Sequence, residues 1–442
     1  MPPSGVGPRR IAFRRACAAR PDPAAGQPSY RRLWTGFTLS GVGAQLATVA
    51  IGLQVYDITR STFAVGIVGL CALVPLVVMG LYGGAIVDHY DRRKVALAAG
   101  LLLWAVSILN TVQAALGNTH VSVLYLLVGL YNAGFAVVSP ARSAIYPRLL
   151  DRSLLPAANA LSVTAMNISM TVGPLLAGLL VDWGGYVTAY AVDAALFTFA
   201  VWGILRLEPI PPEADPAADP AAVRRRPGLA SVLDGLRFLG TRPNVRMTFL
   251  ADFCAMILAQ PRALFPAVAV LSFGGGAKTV GVLSAAVAVG AVVAMLVSGP
   301  LGRVRRQGLA VIVSVALWGV SIVGFGCAVA AAHGALPSGW ALWLGALALA
   351  GAGAADSVSA VFRTTILQAA TPDHLRGRLQ GVFVVVVAGG PRLGDVVAGS
   401  LATVSTEAWA AIVGGLLCVV AVLALAAWQR GFLRYDAQHP TP

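Results

Sequence analysis

The chain is 442 residues long and 57% hydrophobic, with 11% charged residues where a soluble domain carries about a quarter. Its mean hydropathy of +0.78 excludes a soluble fold built on one large core and points to membrane spans in series. The formal net charge is +14, from 32 Lys+Arg against 18 Asp+Glu, and the positions of those charges decide what the excess means.

Residues 1–30 are rich in Arg, Pro and Ala, and no apolar run follows the early arginines. The stretch reads as a disordered cytoplasmic tail and not as a cleaved signal peptide. From there on, apolar runs recur. A hydrocarbon core about 30 Å thick takes about 20 residues of helix, and runs of that length lie at 33–57, 62–87, 94–116, 121–140, 157–181 and 186–206. Residues 31–206 therefore read as a six-helix half. The segment 207–245 contains "EPIPPEADPAADPAAVRRRPG" and reads as a cytoplasmic linker. Its last part spaces Leu229, Val232, Leu233 and Leu236 as a short amphipathic surface helix would. Six further runs follow at 246–271, 279–301, 309–332, 339–361, 380–403 and 407–429, giving a second half over 246–430 and a cytoplasmic tail over 431–442. The five cysteines (Cys17, Cys71, Cys254, Cys327, Cys418) show no CxxC spacing, and four lie in apolar runs. They read as small hydrophobes, not as disulfides or metal ligands.

With both termini cytoplasmic, 28 Lys and Arg fall in inner segments and only Arg60 and Lys278 in outer ones; Arg262 and Arg392 fall inside spans. The opposite orientation inverts 28 to 2 and is excluded. The basic excess is topological, so it does not argue for a nucleic-acid partner. An internal repeat supports the six-plus-six division. With an offset of 221, Arg142 matches Arg363, Ile145 matches Ile366, Leu154 matches Leu375 and Asn159 matches Gln380, each pair at the inner side of its half. Duplicated halves are a transporter signature.

The loop between spans two and three concentrates charge: Gly84-x-x-x-Asp88-x-x-Asp91-Arg92-Arg93-Lys94. Orientation alone accounts for Arg92, Arg93 and Lys94 as inner anchors. It does not account for Asp88, an acid among cations beside the start of span three, where a helix N-terminus favours a carboxylate. The second half echoes the pattern as Gly299-x-x-x-Arg303-x-Arg305-Arg306, with arginine in the aspartate's place.

On these residues the chain resembles the major facilitator superfamily, over roughly 30–430. The stretch "YRRLWTGFTLSGVGAQLATVAIGLQVYDITRSTFAVG", "QPRALFPAV" in span seven and "LGDVVAG" in span eleven look like the enterobactin-exporter-like and macrolide-efflux-like group. Gly173-Pro174-Leu-Leu-Ala177-Gly178 in span five is similar to the Gly-Pro-x-x-Gly-Gly motif of drug/proton antiporters, with Ala177 at one glycine position. Span four, "VGLYNAGFA", lacks the arginine many of those members have there. The resemblance implies an all-α integral membrane protein of twelve helices in two pseudo-symmetric halves, working by alternating access. It also implies that Asp88 and the basic cluster tie inner helix ends when the carrier faces outward.

Ionisable groups inside spans cost about 2.5–3.5 kcal/mol on insertion scales, so they face a cavity or a partner. Asp193 lies in span six, Asp252 and Arg262 in span seven, Asp356 in span ten, and Arg392 with Asp395 in span eleven. Asp252 and Asp395 are the candidates for proton coupling, since a membrane carboxylate gains and loses a proton as its surroundings change. Arg392 and Asp395, at i and i+3, form a structural salt bridge or part of a cavity on equal terms. Pro261 and Pro266 predict a kinked, partly unwound span seven that turns Arg262 toward a cavity. Gln45, Asn132, Asn167, Gln260 and Phe265 complete the candidate lining, the alternative for each being interhelical hydrogen bonding of about 0.6 kcal/mol. Asp57 and Asp182 fall at outer ends, in solvent, and all five histidines fall in loops or tails.

The chain has no HExxH, GxSxG or Walker sequence, which argues against a membrane enzyme and against ATP-driven transport. The reading is a monomeric efflux carrier of the plasma membrane, without cofactor or metal, driven by the proton gradient. Its cargo is a hydrophobic or amphipathic small molecule, siderophore-like or macrolide-like. An importer or uniporter of the same fold is the alternative, and it expects a richer polar lining in spans one, four, seven and ten.

Overall fold

The protein's structure, a computed structural model, describes residues 28–151, 154–211, 240–299, 301, 304–370 and 373–436, without the side chains of 81, 83–85, 88, 156, 368–370 and 373–388. Residues 1–27 of the predicted tail, the amphipathic helix around 229–236, Arg303, the surroundings of Gly84 and the side chain of Asp88 lie outside the described residues; Pro28–Tyr30, read from the sequence as the end of that tail, instead open the first helix, with Tyr30 fully buried.

Hydrocarbon cannot satisfy free peptide groups, so apolar runs of this length close their backbone hydrogen bonds internally, as helices. Helix α1 (Pro28–Thr59) leads through Arg60 and Ser61 into α2 (Thr62–His89). Arg60 takes φ 52° at that turn, and the Ser61 hydroxyl caps α2 by accepting the Ala64 N–H at 3.3 Å. α3 (Arg92–Ala115) and α4 (Val121–Leu149) follow. α5 (Leu155–Leu205) has 51 residues and breaks at Gly185, whose φ of 70° and ψ of −173° only glycine adopts freely. At 1.5 Å per residue it is about 76 Å of helix, more than two crossings of a core about 30 Å thick. The two apolar runs separated at residues 182–185 in the sequence are thus its two arms.

The run predicted at 246–271 is in pieces. It consists of α6 (Pro243–Phe253), a π turn at Cys254–Leu258, a short 3₁₀ turn at Arg262–Leu264 and α7 (Phe265–Leu271). Pro261 and Pro266 have no N–H to give, so the ladder opens where the sequence predicts a kink. The Trp318 indole N–H takes up one freed acceptor, Ala259 O, at 3.2 Å. After α8 (Ala277–Leu296), α9 (Gln307–Ala331) and α10 (Ser338–Ala370) come α11 (Asp373–Val404), α12 (Glu407–Trp428) and the single turn α13 (Arg430–Leu433). Among the described residues, ten helices are long and apolar enough to cross a membrane. Large apolar side chains such as Leu126, Leu347 and Val420 cover their outer surface. That is the surface lipid requires and water would penalise.

Helices α1–α5 pack among themselves, as do α6–α12. Small residues set the spacing: a side chain at Gly290 would collide with Ala350 O, and one at Gly353 with Val287 O, so α8 and α10 lie backbone to backbone. The two groups meet along α2–α11 and α5–α8. Gly66 and Gly69 sit on the backbone of Asp395 and Arg392, and Gly178 and Gly281 hold α5 against α8. At the end remote from the chain termini, Lys278 pairs with Asp182 at 2.7 Å and Thr62 donates to Glu407 at 3.1 Å. Asp182 is exposed, as the sequence expects of an outer-end acid, and it pairs there with Lys278 of the other group. These contacts lie at mid-depth or toward the remote face, so the bundle is held together there.

Replacing Gly290 with Val would overpack the α8–α10 contact at a cost of about 1–3 kcal/mol. It should lower the thermal midpoint in detergent, while Gly80→Ala, with no atom within 4 Å of the added carbon, should leave it unchanged.

Candidate functional site

A charge buried in a span needs an opposite charge and hydrogen bonds, because desolvating it alone costs several kcal/mol. The described structure meets that demand with a file of alternating signs. Asp252, on α6, forms a close ion pair with Arg363 of α10, the two being 5% and 8% exposed. Arg363 turns its second nitrogen, Nη2, to Asp356 Oδ1 at 3.1 Å, two helical turns back on α10. Arg262 comes next. The 3₁₀ turn leaves it exposed between buried Pro261 and buried Ala263, within Coulombic reach of Asp356, Asp395 and Arg392. The Ala263 backbone lies beside the Asp395 carboxylate. Arg392, one turn before Asp395 on α11, donates to Asn132 Oδ1 of α4 at 3.0 Å. The order is Asp252, Arg363, Asp356, Arg262, Asp395, Arg392, then Asn132. Three carboxylates alternate with three guanidiniums, and the last link crosses from the C-terminal helices to the N-terminal ones.

The break in span seven makes this possible. A continuous helix would place residues 256–264 on a regular spiral. The π turn and the 3₁₀ turn instead let Met256 O and the Gln260 Cβ press against Gly394, where α11 has no side chain, and set Ala263 beside Asp395. Both candidates for proton coupling, Asp252 and Asp395, thus stand with arginines.

Of the predicted lining, Asn132, Arg262, Asp356 and Arg392 come together with these two acids. Gln260 is buried at the α11 contact. Gln45 backs onto Gly173, and Asn167 is half-buried on α5, where its backbone carbonyl accepts the Thr171 hydroxyl; neither joins the file. Phe265 does not line a cavity. It is 2% exposed and packs edge-on against Phe325 at 5.9 Å, because the turn after Arg262 rotates the apolar α7 into the C-terminal core. The span-five motif has a definite position: Gly173 abuts Gln45 and Val42 of α1, Pro174 O faces Gly281, and Gly178 abuts Ala277 of α8.

In the loop between α2 and α3, Asp91 caps α3 by accepting the Arg93 and Lys94 N–H groups at 2.9 and 3.4 Å. It also accepts the Ile210 N–H at 3.3 Å, and Arg92 N–H donates to Ile210 O at 3.0 Å. Arg93 Nη2 reaches Leu205 O at 2.9 Å. These ties fasten the exit of α5 to α3. Gly299 stands in open space: a side-chain carbon added to it would meet no described atom within 4 Å.

Arg363 is the functional residue that the sequence marks only as an inner positive charge. Its signals were its match to Arg142 in the internal repeat and its seven-residue spacing from Asp356, which puts both on one helix face.

The family of transmembrane secretion effectors matches residues 23–437. The chain is similar to the enterobactin exporter EntS of Citrobacter koseri, 29% identical over 94% of this chain and 95% of that one. It is also similar to EntS of Shigella boydii serotype 18, 29% identical over 90% and 91%. Among solved structures, the nucleoside transporter NupG superposes with a TM-score of 0.67 at 16% identity, over 90% of this chain and 98% of that one. A bacterial homologue of the iron transporter ferroportin in its inward-facing state gives 0.64 at 15%, over 90% and 99%. A bacterial homologue of the human lysosomal transporter Spinster, inward-facing and unoccupied, gives 0.66 at 12%, over 95% and 98%. The superpositions show the shared fold of these transporters.

Arg363→Leu would strand Asp252 and remove a partner of Asp356, and breaking a buried pair costs about 3–5 kcal/mol. Asp252→Asn leaves Arg363 its second acid. Thermal unfolding should show a markedly larger loss for Arg363→Leu than for Asp252→Asn; equal losses would mean that Asp356 does not share the guanidinium.

Proposed function

From one premise, that the chain belongs to the transmembrane secretion effector family, we propose that it is a secondary active exporter of a siderophore-like or other amphipathic small molecule. The observation that carries the reading is the similarity to enterobactin exporters along nearly the whole of both chains. In this reading α5 crosses twice and α11 once, giving twelve crossings with both termini in the cytoplasm of a plasma-membrane protein. The carrier works as a monomer, without catalysis, cofactor or ATP, and draws on the proton gradient.

The geometry supports a mechanism. The ties between the two groups of helices, Asp182–Lys278, Thr62–Glu407 and Arg392–Asn132, lie at mid-depth or toward the outer face. In this reading the described state is one closed outward, ready to accept cargo from the cytoplasm. Cargo meets Arg262 and its neighbours at the level where span seven is broken, and the file of alternating charge exchanges partners there as the halves rock. Asp88 and the basic cluster, with Asp91 already fastening α3 to the exit of α5, hold the inner ends together in the opposite state. Each exchange replaces one ion pair by another, so no bare charge is left in hydrocarbon at any stage.

The test is flux into inside-out vesicles containing the purified chain, with enterobactin and a macrolide as probes. Accumulation of at least one probe when the lumen is acid, and its collapse when the gradient is dissipated, is the expected result. Flux indifferent to the gradient would remove proton antiport, and accumulation only in right-side-out vesicles would make the carrier an importer.

A further inference from the structure

The three acids of the charge file face three arginines, but Asp193, on the second arm of α5, faces none. It is 1% exposed. The groups around it are Ser107 of α3, Tyr131 of α4 and Tyr190 on its own helix, with Gly43 of α1 pressed so closely that a side chain there would strike Asp193 Oδ1. Among the described residues no Lys, Arg or His joins them. A bare carboxylate in hydrocarbon without a cation is untenable, whereas a carboxylic acid there is not.

Asp193 also stands at the end of a polar file. Ser107, Asn110 and Gln113 lie on one face of α3 at steps of three. All three are buried, and none of Ser107 Oγ, Asn110 Oδ1 and Asp193 Oδ1 makes a hydrogen bond of regular geometry. Beyond them Gln113 and Gln54 of α1 exchange paired hydrogen bonds at 3.0 and 3.1 Å, and Tyr190 donates to Gln54 Oε1 at 2.8 Å. Asn118 donates to Gln113 Oε1 at 3.2 Å and to His120 O at 3.0 Å. His120 is exposed on the face remote from the termini. Polar side chains thus follow one another from that surface toward the buried acid, inside the N-terminal helices and apart from the charge file: hydrogen bonds join them as far as Gln113, and Asn110 Oδ1, Ser107 Oγ and Asp193 Oδ1 follow without partners. Three under-satisfied polar groups in a row are what a chain of waters satisfies, each water needing two to four such partners.

We propose that this file is a proton-access route and that Asp193 carries the coupling proton. A proton from water at the remote face passes along the file to the Asp193 carboxylate, making the neutral acid. The acid returns it to water on the terminal side when the carrier changes state, with no electron transfer. The proposal rests on the antiport reading and adds the group that binds the proton and the side from which it arrives.

The test uses the purified full chain in proteoliposomes, with enterobactin as probe, comparing wild type, Asp193→Asn and Gln113→Leu. Losing the linkage between proton and cargo should cut gradient-driven accumulation by about 5- to 150-fold, while gradient-free counterflow of the probe stays at the wild-type level. Gln113→Leu, remote from the acid, should slow the driven flux and leave counterflow intact, which keeps the test open even where Asp193→Asn folds poorly. Infrared spectroscopy should show the carbonyl band of a buried carboxylic acid in wild type and its loss in Asp193→Asn. Wild-type accumulation by Asp193→Asn, or an unchanged carbonyl band, would overturn the proposal. Should wild-type flux itself ignore the gradient while the band persists, antiport falls and Asp193 is a static neutral acid, which overturns its coupling role as well.

Discussion

The cost of charge in hydrocarbon organises this protein. Every ionisable group described inside the spans has been given one of two solutions. Asp252 and Asp356 pair with Arg363, and Arg262 and Arg392 stand within Coulombic reach of Asp395; Asp193 has the hydroxyl-bearing Ser107, Tyr131 and Tyr190 beside it. The first solution demands that helices remote in sequence hold fixed distances, since an ion pair that loses one member leaves the other with the full desolvation penalty. The Asp252–Arg363 pair therefore constrains where α6 and α10 can stand relative to one another. The charge file also gives the C-terminal helices a polar seam in an otherwise apolar bundle.

The broken span seven is the geometric partner of that constraint. Regular helix would have closed its own hydrogen bonds and kept neighbours at the distance of its side chains. The interruption at residues 254–264 instead presents a main-chain carbonyl sideways to Trp318, sets Ala263 beside Asp395 and lets α11 approach at Gly394. Backbone freed at membrane depth is tolerated only where protein or a cavity takes over its hydrogen bonds, and here the Trp318 indole does so for Ala259 O. Arg262, in the same interruption, stays exposed. Stability and function are thus drawn from the same residues: two prolines weaken the helix, and the packing of Phe265 against Phe325 restores order one turn later.

Much of this was legible in the sequence because hydropathy, proline and charge act locally. The spans, the kink at Pro261 and Pro266, and the membership of Asn132, Asp252, Asp356, Arg392 and Asp395 in a polar interior all follow from residues read in place. What was hidden depends on which face of a helix meets which neighbour. Phe265 looked like a lining residue because it adjoins Arg262, but a 3₁₀ turn between them changes the facing. Arg363 looked like one more inner cation because positive-inside counting treats every arginine alike. Gln54 and Gln113 gave no signal, since a lone glutamine in an apolar run looks the same whether it meets another glutamine or not. The partner of Asp182 was hidden because Lys278 belongs to the other group of helices.

The turns on the face remote from the termini are short: Arg60 and Ser61 join α1 to α2, Ser405 and Thr406 join α11 to α12, and Gly185 alone redirects α5. That face offers little chain for an antibody, a protease or a neighbouring protein to grip. Whatever recruits, modifies or tethers this molecule has its footholds at the terminal end, where the long connections and most of the basic side chains lie. The protein is accordingly addressable from one side of the membrane and nearly featureless from the other.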